Sequence, residues 1–101
     1  MRQIVLSKRA ANKLKQLLNY LEENWSRKVK QDFIKHLDKN LENIQRFPES
    51  YEHSYIKREL YRCVVTKQVS IFYQFDDKNI NVVSIFDTRM NPARLKDETD
   101  T

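Results

Sequence analysis

The chain has 101 residues, the length of one small domain, and we expect a single domain over residues 1–101. Nineteen Lys and Arg against 14 Asp and Glu give a net charge of +5, which favours an anionic partner such as nucleic acid or an acidic protein segment. Glycine is absent, which excludes the Gly-rich phosphate loops of dinucleotide and P-loop proteins, so we expect no nucleotide or other small-molecule cofactor.

Cysteine content and hydropathy indicate the compartment. The single cysteine, Cys63, cannot form an internal disulfide, and in YRCVV it is expected to pack as a small hydrophobe. The first ten residues contain only a short apolar run, and no later run approaches the ~20 residues of a membrane span. We therefore expect a cytoplasmic protein that does not interact with membranes.

The N-terminal quarter predicts a strand followed by a helix. Gln3–Leu6 is a short apolar run that ends at Ser7, a residue well placed to cap the next helix. From Ala10 the apolar residues recur every three or four positions, which indicates an amphipathic helix. The stripe consists of Ala11, Leu14, Leu17, Leu18, Leu21 and Trp25.

A second amphipathic helix follows after a very short connection. Asn24-Trp25-Ser26 interrupts the first pattern, and Ser26 can cap the second helix. Pro48 ends this helix because the residue before a proline disfavours helical dihedrals. So short a turn predicts an antiparallel hairpin. The second stripe runs through Val29, Phe33, Leu37, Leu41 and Ile44.

The C-terminal half predicts a loop and then three strands. Residues 49–59 show no period and are interpreted as a loop, whereas residues 60–66, Val69–Phe75 and residues 80–86 are rich in Val, Ile, Phe and Tyr. Two short polar turns connect the three runs, which indicates an antiparallel meander. The third run is apolar on both faces, as in a central strand, and the polar residues 96–101 are expected to be a frayed tail.

The order of elements predicts an α+β fold. An N-terminal strand and an antiparallel two-helix hairpin precede the three-stranded meander, and the hairpin is expected to pack on one face of a mainly antiparallel sheet. This arrangement would leave the other face partly open for binding.

Several segments together resemble a known family. The hairpin stretch LNYLEENW, the strands in ELYRCVVTK and IFYQF, and the closing IFDTRMNP occur in an order and spacing similar to the RelE/ParE family of bacterial toxins, over nearly the whole chain. The resemblance implies the growth-inhibiting toxin of a type II toxin–antitoxin (plasmid stabilisation) system. It also implies a cognate antitoxin, whose acidic C-terminal segment would wrap a basic toxin and fold on binding.

The family resemblance implies two possible targets. RelE-like members cleave messenger RNA in the ribosome without a metal, whereas ParE-like members act on DNA gyrase. Ribonuclease members tend to carry an Arg or Lys on the middle meander strand and a His or aromatic residue beyond the last strand. Here Ser70 stands at the first position, and MNPARL contains neither His nor Tyr. The sequence favours a ParE-like toxin that is not an enzyme, with a ribosome-dependent mRNA endonuclease as the alternative and a non-toxic nucleic-acid-binding module as the third reading.

Metal-independent RNA cleavage requires a base, an acid and cations that stabilise the phosphorane. No His or Cys lies at metal-ligand spacing, so no metal site is expected. The residues with suitable chemistry for cleavage are Arg62 and Arg89 as cations, Glu52 and Asp87 as bases, and His53 and Tyr55 as acids. The residues expected to contact a target or antitoxin are Lys57, Arg58, Arg62, Lys67 and Arg89.

Structural roles compete with these assignments. Arg62 in a strand could pair with Asp87 or Glu59 at the rim of the sheet. Asp87 and Arg89 lie two residues apart, and we expect them to form an ion pair that fixes the end of the last strand. Tyrosines interleaved with basic residues around position 55 could stack nucleic-acid bases, although tyrosines within strands more commonly pack against neighbours.

Overall fold

The computed structural model describes residues 1–55 and 57–90; the predicted frayed tail at 96–101 lies outside the described residues. The chain forms two helices and a five-stranded sheet of order β1-β5-β4-β3-β2. The elements are β1 (Gln3–Leu6), α1 (Lys8–Asn24), α2 (Arg27–Arg46), a 3-10 turn (Pro48–Ser50), β2 (Glu52–His53), β3 (Tyr61–Val64), β4 (Val69–Phe75) and β5 (Asn79–Asp87). The predicted α+β fold is confirmed.

Both helices begin at the predicted serine caps. The backbone N–H of Ala10 donates to Ser7 Oγ at 2.9 Å, and that of Val29 donates to Ser26 Oγ at 3.1 Å. Each bond satisfies one of the amide groups that a helix start leaves without a partner. Among the described residues, neither helix combines the length and the hydropathy needed to cross a membrane.

The hairpin packs on the sheet by its apolar stripes. Leu14 and Val29 are partly buried against the same core. Trp25, predicted as part of the first stripe, is instead 58% exposed because α1 ends at Asn24 and Trp25 lies in the turn. The buried helix residues are Ala10, Leu17, Leu21, Phe33, Leu37 and Ile44.

The last three strands form the predicted antiparallel meander, and β1 adds to β5 in parallel. This places β5 between β1 and β4, in the central position predicted for it. The pairing of β4 with β5 shifts at one point, where Phe72 pairs with Ser84 and Tyr73 with Val82. Val83 is therefore the extra residue of a β-bulge. Its carbonyl accepts the Ser7 hydroxyl at 2.8 Å, which connects the start of α1 to the bulge.

The segment between α2 and β3 differs from the prediction. Residues 49–59 were interpreted as a loop, but they contain most of the 3-10 turn and the two-residue strand β2, which pairs antiparallel with β3. A strand of two polar residues has no alternating pattern, so the sequence gives no signal for it. The strand predicted over residues 60–66 spans only Tyr61–Val64.

The two faces of the sheet differ in how many of their side chains are buried. The face toward the helices carries most of the core, including Ile71, Tyr73 and Ile85. On the opposite face, Phe72 and Phe86 are 1% and 3% exposed and form a smaller cluster with Leu60. The expectation of a partly open face is therefore wrong at the centre of the sheet. It holds toward the β3 edge, where a large apolar side chain, Val64, is 54% exposed.

Candidate functional site

Asp87 and Arg89 form the ion pair expected at the end of β5. Arg89 Nη2 lies 2.8 Å from Asp87 Oδ2, and Arg89 Nε lies 3.2 Å from Asp87 Oδ1. The backbone N–H of Arg89 also donates to Asp87 Oδ1 at 2.7 Å, because the chain turns after Asp87 instead of continuing as a strand. Asp87 is 1% exposed, so its carboxylate is committed to Arg89 and cannot serve as a base for an external substrate.

Trp25 lies beside this ion pair. The Arg89 guanidinium carbon is 5.9 Å from the centre of the Trp25 ring, within the range of a cation–π contact. Next to it, a groove of about 170 Å³ separates the helix hairpin from the β3–β4 turn. Its lining includes Phe33, His36 and Gln68. The contact between Trp25 and Arg89 could not be predicted, because the two residues are 64 positions apart and no local pattern connects them.

Arg62 lies on the sheet face that points away from the helices. Its partner in register is Phe72 on the neighbouring strand β4, and the Arg62 Nε donates to Ser70 Oγ at 3.3 Å. It therefore does not pair with Asp87, which packs on the helix-facing side. Glu52 is its partner in register on β2, and the two line a cavity of about 310 Å³ together with Tyr51. Arg62 thus brings a guanidinium to the position where Ser70 lacks a charge.

His53 and Tyr55 belong to a different site. His53 pairs with Tyr61 on β3, so its ring lies on the opposite side of the sheet from Glu52 and Arg62. Its ring nitrogen Nδ1 lies 2.7 Å from the backbone carbonyl of Arg58. A carbonyl only accepts hydrogen bonds, so Nδ1 carries the hydrogen and donates. A cavity of about 520 Å³ is lined by His53, Ser54, Tyr55 and Arg58.

A stack of aromatic rings extends inward from His53. The His53 and Tyr61 ring centres are 4.2 Å apart, and those of Tyr61 and Tyr73 are 5.5 Å apart with an interplanar angle of 20°. Tyr73 is fully buried and donates its hydroxyl hydrogen to the carbonyl of Pro48 at 2.7 Å. These contacts give Tyr61 and Tyr73 packing roles, whereas His53, at the outer end of the stack, is exposed.

Buried hydroxyl and thiol groups lie around Tyr73. Burial raises the pKa of the Cys63 thiol to about 11, and burial, with a smaller contribution from Cys63, raises the pKa of Tyr51. Burial also raises the pKa of Tyr73. All three groups therefore stay protonated at neutral pH, and none is activated as a nucleophile or base. Cys63 donates weakly to Asn40 Oδ1 at 3.4 Å, as a core thiol.

The six candidate catalytic residues occupy three separate places. Glu52 and Arg62 line one cavity, and His53 and Tyr55 line another on the opposite side of the sheet. The Asp87–Arg89 ion pair lies at the C-terminal end of β5. Cleavage would require a base, an acid and a cation around one phosphate. Within residues 1–55 and 57–90, no group of three or more His, Cys, Asp or Glu residues is arranged to hold a metal ion.

The candidate binding residues are spread along β3. Lys57 and Arg58 precede its first residue, Arg62 lies within it, and Lys67 is exposed in the turn that follows. Arg89 lies near that turn, since it lines the same groove as Thr66 and Gln68. The basic side chains therefore follow one strand and do not form a compact patch.

The comparisons with known proteins agree with this fold. Residues 4–92 match the family model described as the ParE toxin of the type II toxin–antitoxin system parDE. The chain belongs to this family of toxins. A comparison with curated protein sequences finds no match.

Two solved structures show the same fold. One, described as the chromosomal ParDE TA system from P. aeruginosa, superimposes with a TM-score of 0.71 at 10% identity, covering 86% of this chain and 96% of that one. The other, the YoeB dimer from Staphylococcus aureus, has a TM-score of 0.61 at 19% identity, covering 84% of this chain and 94% of that one.

Proposed function

We propose that this type II toxin is ParE-like, acts by binding a protein target such as DNA gyrase, and is held inactive by a cognate antitoxin protein. The observation that carries the choice of target is the separation of the candidate catalytic residues. The exposed acid candidates and the Glu52–Arg62 pair lie on opposite sides of the sheet, and Asp87 is neutralised by Arg89. A binding function needs no such convergence. The proposed target would place the toxin in the cytoplasm.

The antitoxin is proposed to bind along β3. Strand β2 pairs only with Tyr61 and Arg62, so the outer edge of β3 at Cys63 and Val64 has no neighbouring strand among the described residues. An extended segment can add to such an edge through backbone hydrogen bonds. Basic side chains at both ends of β3 would favour an acidic segment. The P. aeruginosa structure that shares this fold comes from a toxin–antitoxin system, which supports a proteinaceous partner.

Salt dependence tests the antitoxin surface. Association with the antitoxin should slow as salt rises, because screening acts over about 8–10 Å at physiological ionic strength. Lys67→Ala should reduce both the association rate and its salt dependence. Lys39→Ala, which removes an equal charge from an exposed position on α2, is the matched control. An association rate that does not change with salt would argue for a purely apolar interface.

A second candidate function rests on the Arg62 cavity. Arg62 reaches Ser70, and Glu52 and Tyr51 line the same space of about 310 Å³, so a cation and a carboxylate can face one phosphate there. This arrangement favours ribosome-dependent mRNA cleavage as the alternative activity. The cavity lacks a good general acid: burial raises the pKa of Tyr51, which makes proton donation from its hydroxyl less favourable.

Controlled expression separates these functions. The toxin is induced in a bacterial host with and without its antitoxin, while the DNA-damage response and mRNA integrity are followed separately. Gyrase-linked DNA breaks with intact mRNA are expected. Prompt mRNA cuts that disappear in Arg62→Ala, but persist in Lys39→Ala, would replace the proposal with the endonuclease. Normal growth of a host that contains folded toxin would favour the non-toxic binding module.

A further inference from the structure

The described residues between β2 and β3 include an exposed aromatic ring, Tyr55, and an exposed cation, Arg58. The backbone N–H of Ser54 donates to the Leu60 carbonyl at 2.7 Å, and that of Leu60 donates to the Lys57 carbonyl at 2.9 Å. Ser54 is 2% exposed, and Leu60 is also 2% exposed. The two ends of the segment, Ser54 and Leu60, are thus joined to each other and buried, so they fix the place where Tyr55 and Arg58 leave the body of the protein.

The exposed groups of this loop have no partner in the described part of the chain. Tyr55 is 73% exposed, and its hydroxyl makes no hydrogen bond with the described residues. The Arg58 guanidinium makes none either, and its charge is accessible to solvent. A large exposed aromatic side chain close in sequence to an accessible guanidinium is typical of a binding surface, where Tyr and Arg are enriched.

His53 extends the aromatic surface into the cavity. Its ring is the outer end of the stack formed with Tyr61 and Tyr73, and β2 is the edge strand of the sheet. The hydrogen bond from Nδ1 to the Arg58 carbonyl fixes the plane of the ring. A further planar group can therefore stack at the end of the column without any rearrangement of the protein. The same cavity, of about 520 Å³, lies within the ~300–1,000 Å³ range of small-ligand pockets.

We propose that the cavity formed by His53, Tyr55 and Arg58 binds one nucleotide, with the base stacked on an aromatic ring and the phosphate held by Arg58. Bases stack on aromatic rings irrespective of sequence, and a guanidinium offers paired donors to phosphate oxygens. The exposed Glu59 follows Arg58, but Lys57 adds a second cation and the chain as a whole carries +5. This excess of positive over negative charge favours an anionic ligand over a neutral aromatic one.

This site is separate from the surfaces in the proposed function. Glu52 and Arg62 lie on the other side of the sheet, and binding at the His53 cavity involves no bond cleavage. The ligand could be a free mononucleotide or one unit of a single strand, because the two share a base and a phosphate. A toxin that binds gyrase need not bind either of these ligands, so nucleotide binding can be tested independently of the proposed target.

Fluorescence anisotropy with the purified full-length chain tests the proposal. The probes are labelled oligothymidylate and oligouridylate, with UMP and AMP as competitors; oligothymidylate has no 2′-hydroxyl, so it reports binding without cleavage. Tyr55→Ala or His53→Gln should weaken binding by about 5- to 150-fold, the range for loss of one base stack. His53→Gln keeps a side-chain donor for the Arg58 carbonyl. Arg58→Ala should lower the salt slope of log affinity by about 0.7.

Matched variants decide the outcome. Lys39→Ala removes an exposed charge and Trp25→Ala an exposed aromatic ring, neither of which lines the cavity, and both variants should retain affinity. Competition by UMP or AMP as strong as by the oligonucleotides assigns a free nucleotide, and stronger binding of the oligonucleotides assigns a single strand. The proposal is overturned if His53→Gln and Tyr55→Ala bind like Lys39→Ala. It is also overturned if labelled oligoglutamate binds with the same dependence on Tyr55, since the site would then recognise acidic peptides.

Discussion

The two faces of the sheet are built from the same strands but differ in chemistry. Along β4, Ile71 and Tyr73 face the helices, whereas Ser70 and Phe72 face the other way. The helix-facing side is mostly apolar, with Asp87 at one end of β5, and the opposite side combines a small apolar cluster with Ser70 and Arg62. The helix-facing core therefore buries most of the apolar side chains, and the exposed surface near the β3 edge is available for binding.

The largest effect should come from the helix-facing core. Ile71→Ala removes a side chain with no exposed surface and should cost about 2–5 kcal/mol in the free energy of unfolding. Val64→Ala, at a 54% exposed position near the β3 edge, should cost about 0.5 kcal/mol or less. Urea unfolding measures both. Equal losses in the two variants would show that the two faces contribute equally to the free energy of unfolding.

The Asp87–Arg89 pair should have the next largest effect. Asp87→Ala leaves the Arg89 backbone N–H and its guanidinium without their acceptors, and we expect a loss of about 2–3 kcal/mol. The control is Asp32→Ala, which breaks the Lys28–Asp32 pair whose side chains are 84% and 50% exposed. That variant should change the free energy of unfolding by about 0.5 kcal/mol at most. Similar effects of the two variants would exclude a stabilising role for Asp87.

A smaller loss is expected for the buried tyrosine hydroxyl. Tyr73→Phe removes the hydrogen bond to the Pro48 carbonyl, which should destabilise the protein by about 1 kcal/mol. Tyr55→Phe removes a hydroxyl that has no partner among the described residues and should leave the urea midpoint unchanged. A stable Tyr73→Phe variant would mean that the Pro48 carbonyl finds water instead.

The last effect is absent at neutral pH and appears only at alkaline pH. Burial raises the pKa of Cys63 from 9.0 to about 11, so between these values the folded protein keeps a proton that the unfolded chain releases. The stability that this gives is complete below pH 9.0 and falls as pH rises toward 11. Cys63→Ala should make the urea midpoint less dependent on pH in this window, with the remainder due to Tyr51 and Tyr73. An unchanged dependence would contradict burial as the cause.

Most of the fold could be predicted from local patterns. The caps at Ser7 and Ser26, the two helical stripes and the meander each follow from short-range spacing, and all are present except that Ala11 and Trp25 of the first stripe are exposed. Strand β2 could not be predicted because it is two polar residues long and exists only through its pairing with β3. The burial of Phe72 and Phe86 also depends on tertiary arrangement, since an alternating strand does not show which face is covered.

The grouping of the candidate site residues was less predictable than the fold, because it depends on the geometry of the sheet. The sequence supplied suitable residue types, but strand alternation and register decide which of them meet. Glu52 and His53 are adjacent in sequence and lie on opposite sides of the sheet, whereas Trp25 and Arg89 are far apart in sequence and in contact. The ion pair of Asp87 with Arg89 was predictable because the two residues are close along the chain.

The parallel pairing of β1 with β5 has a consequence for synthesis. Residues Gln3 to Leu6 are made well before their partners, Asn79 to Val82, because most of the described chain lies between the two strands. Contacts between such distant segments form late and slowly. Strand β5, which lies between β1 and β4, is synthesised after the other four strands of the sheet, so β1 has no partner strand until β5 has been made. A nascent chain that lacks β5 therefore cannot form the complete sheet of the folded toxin.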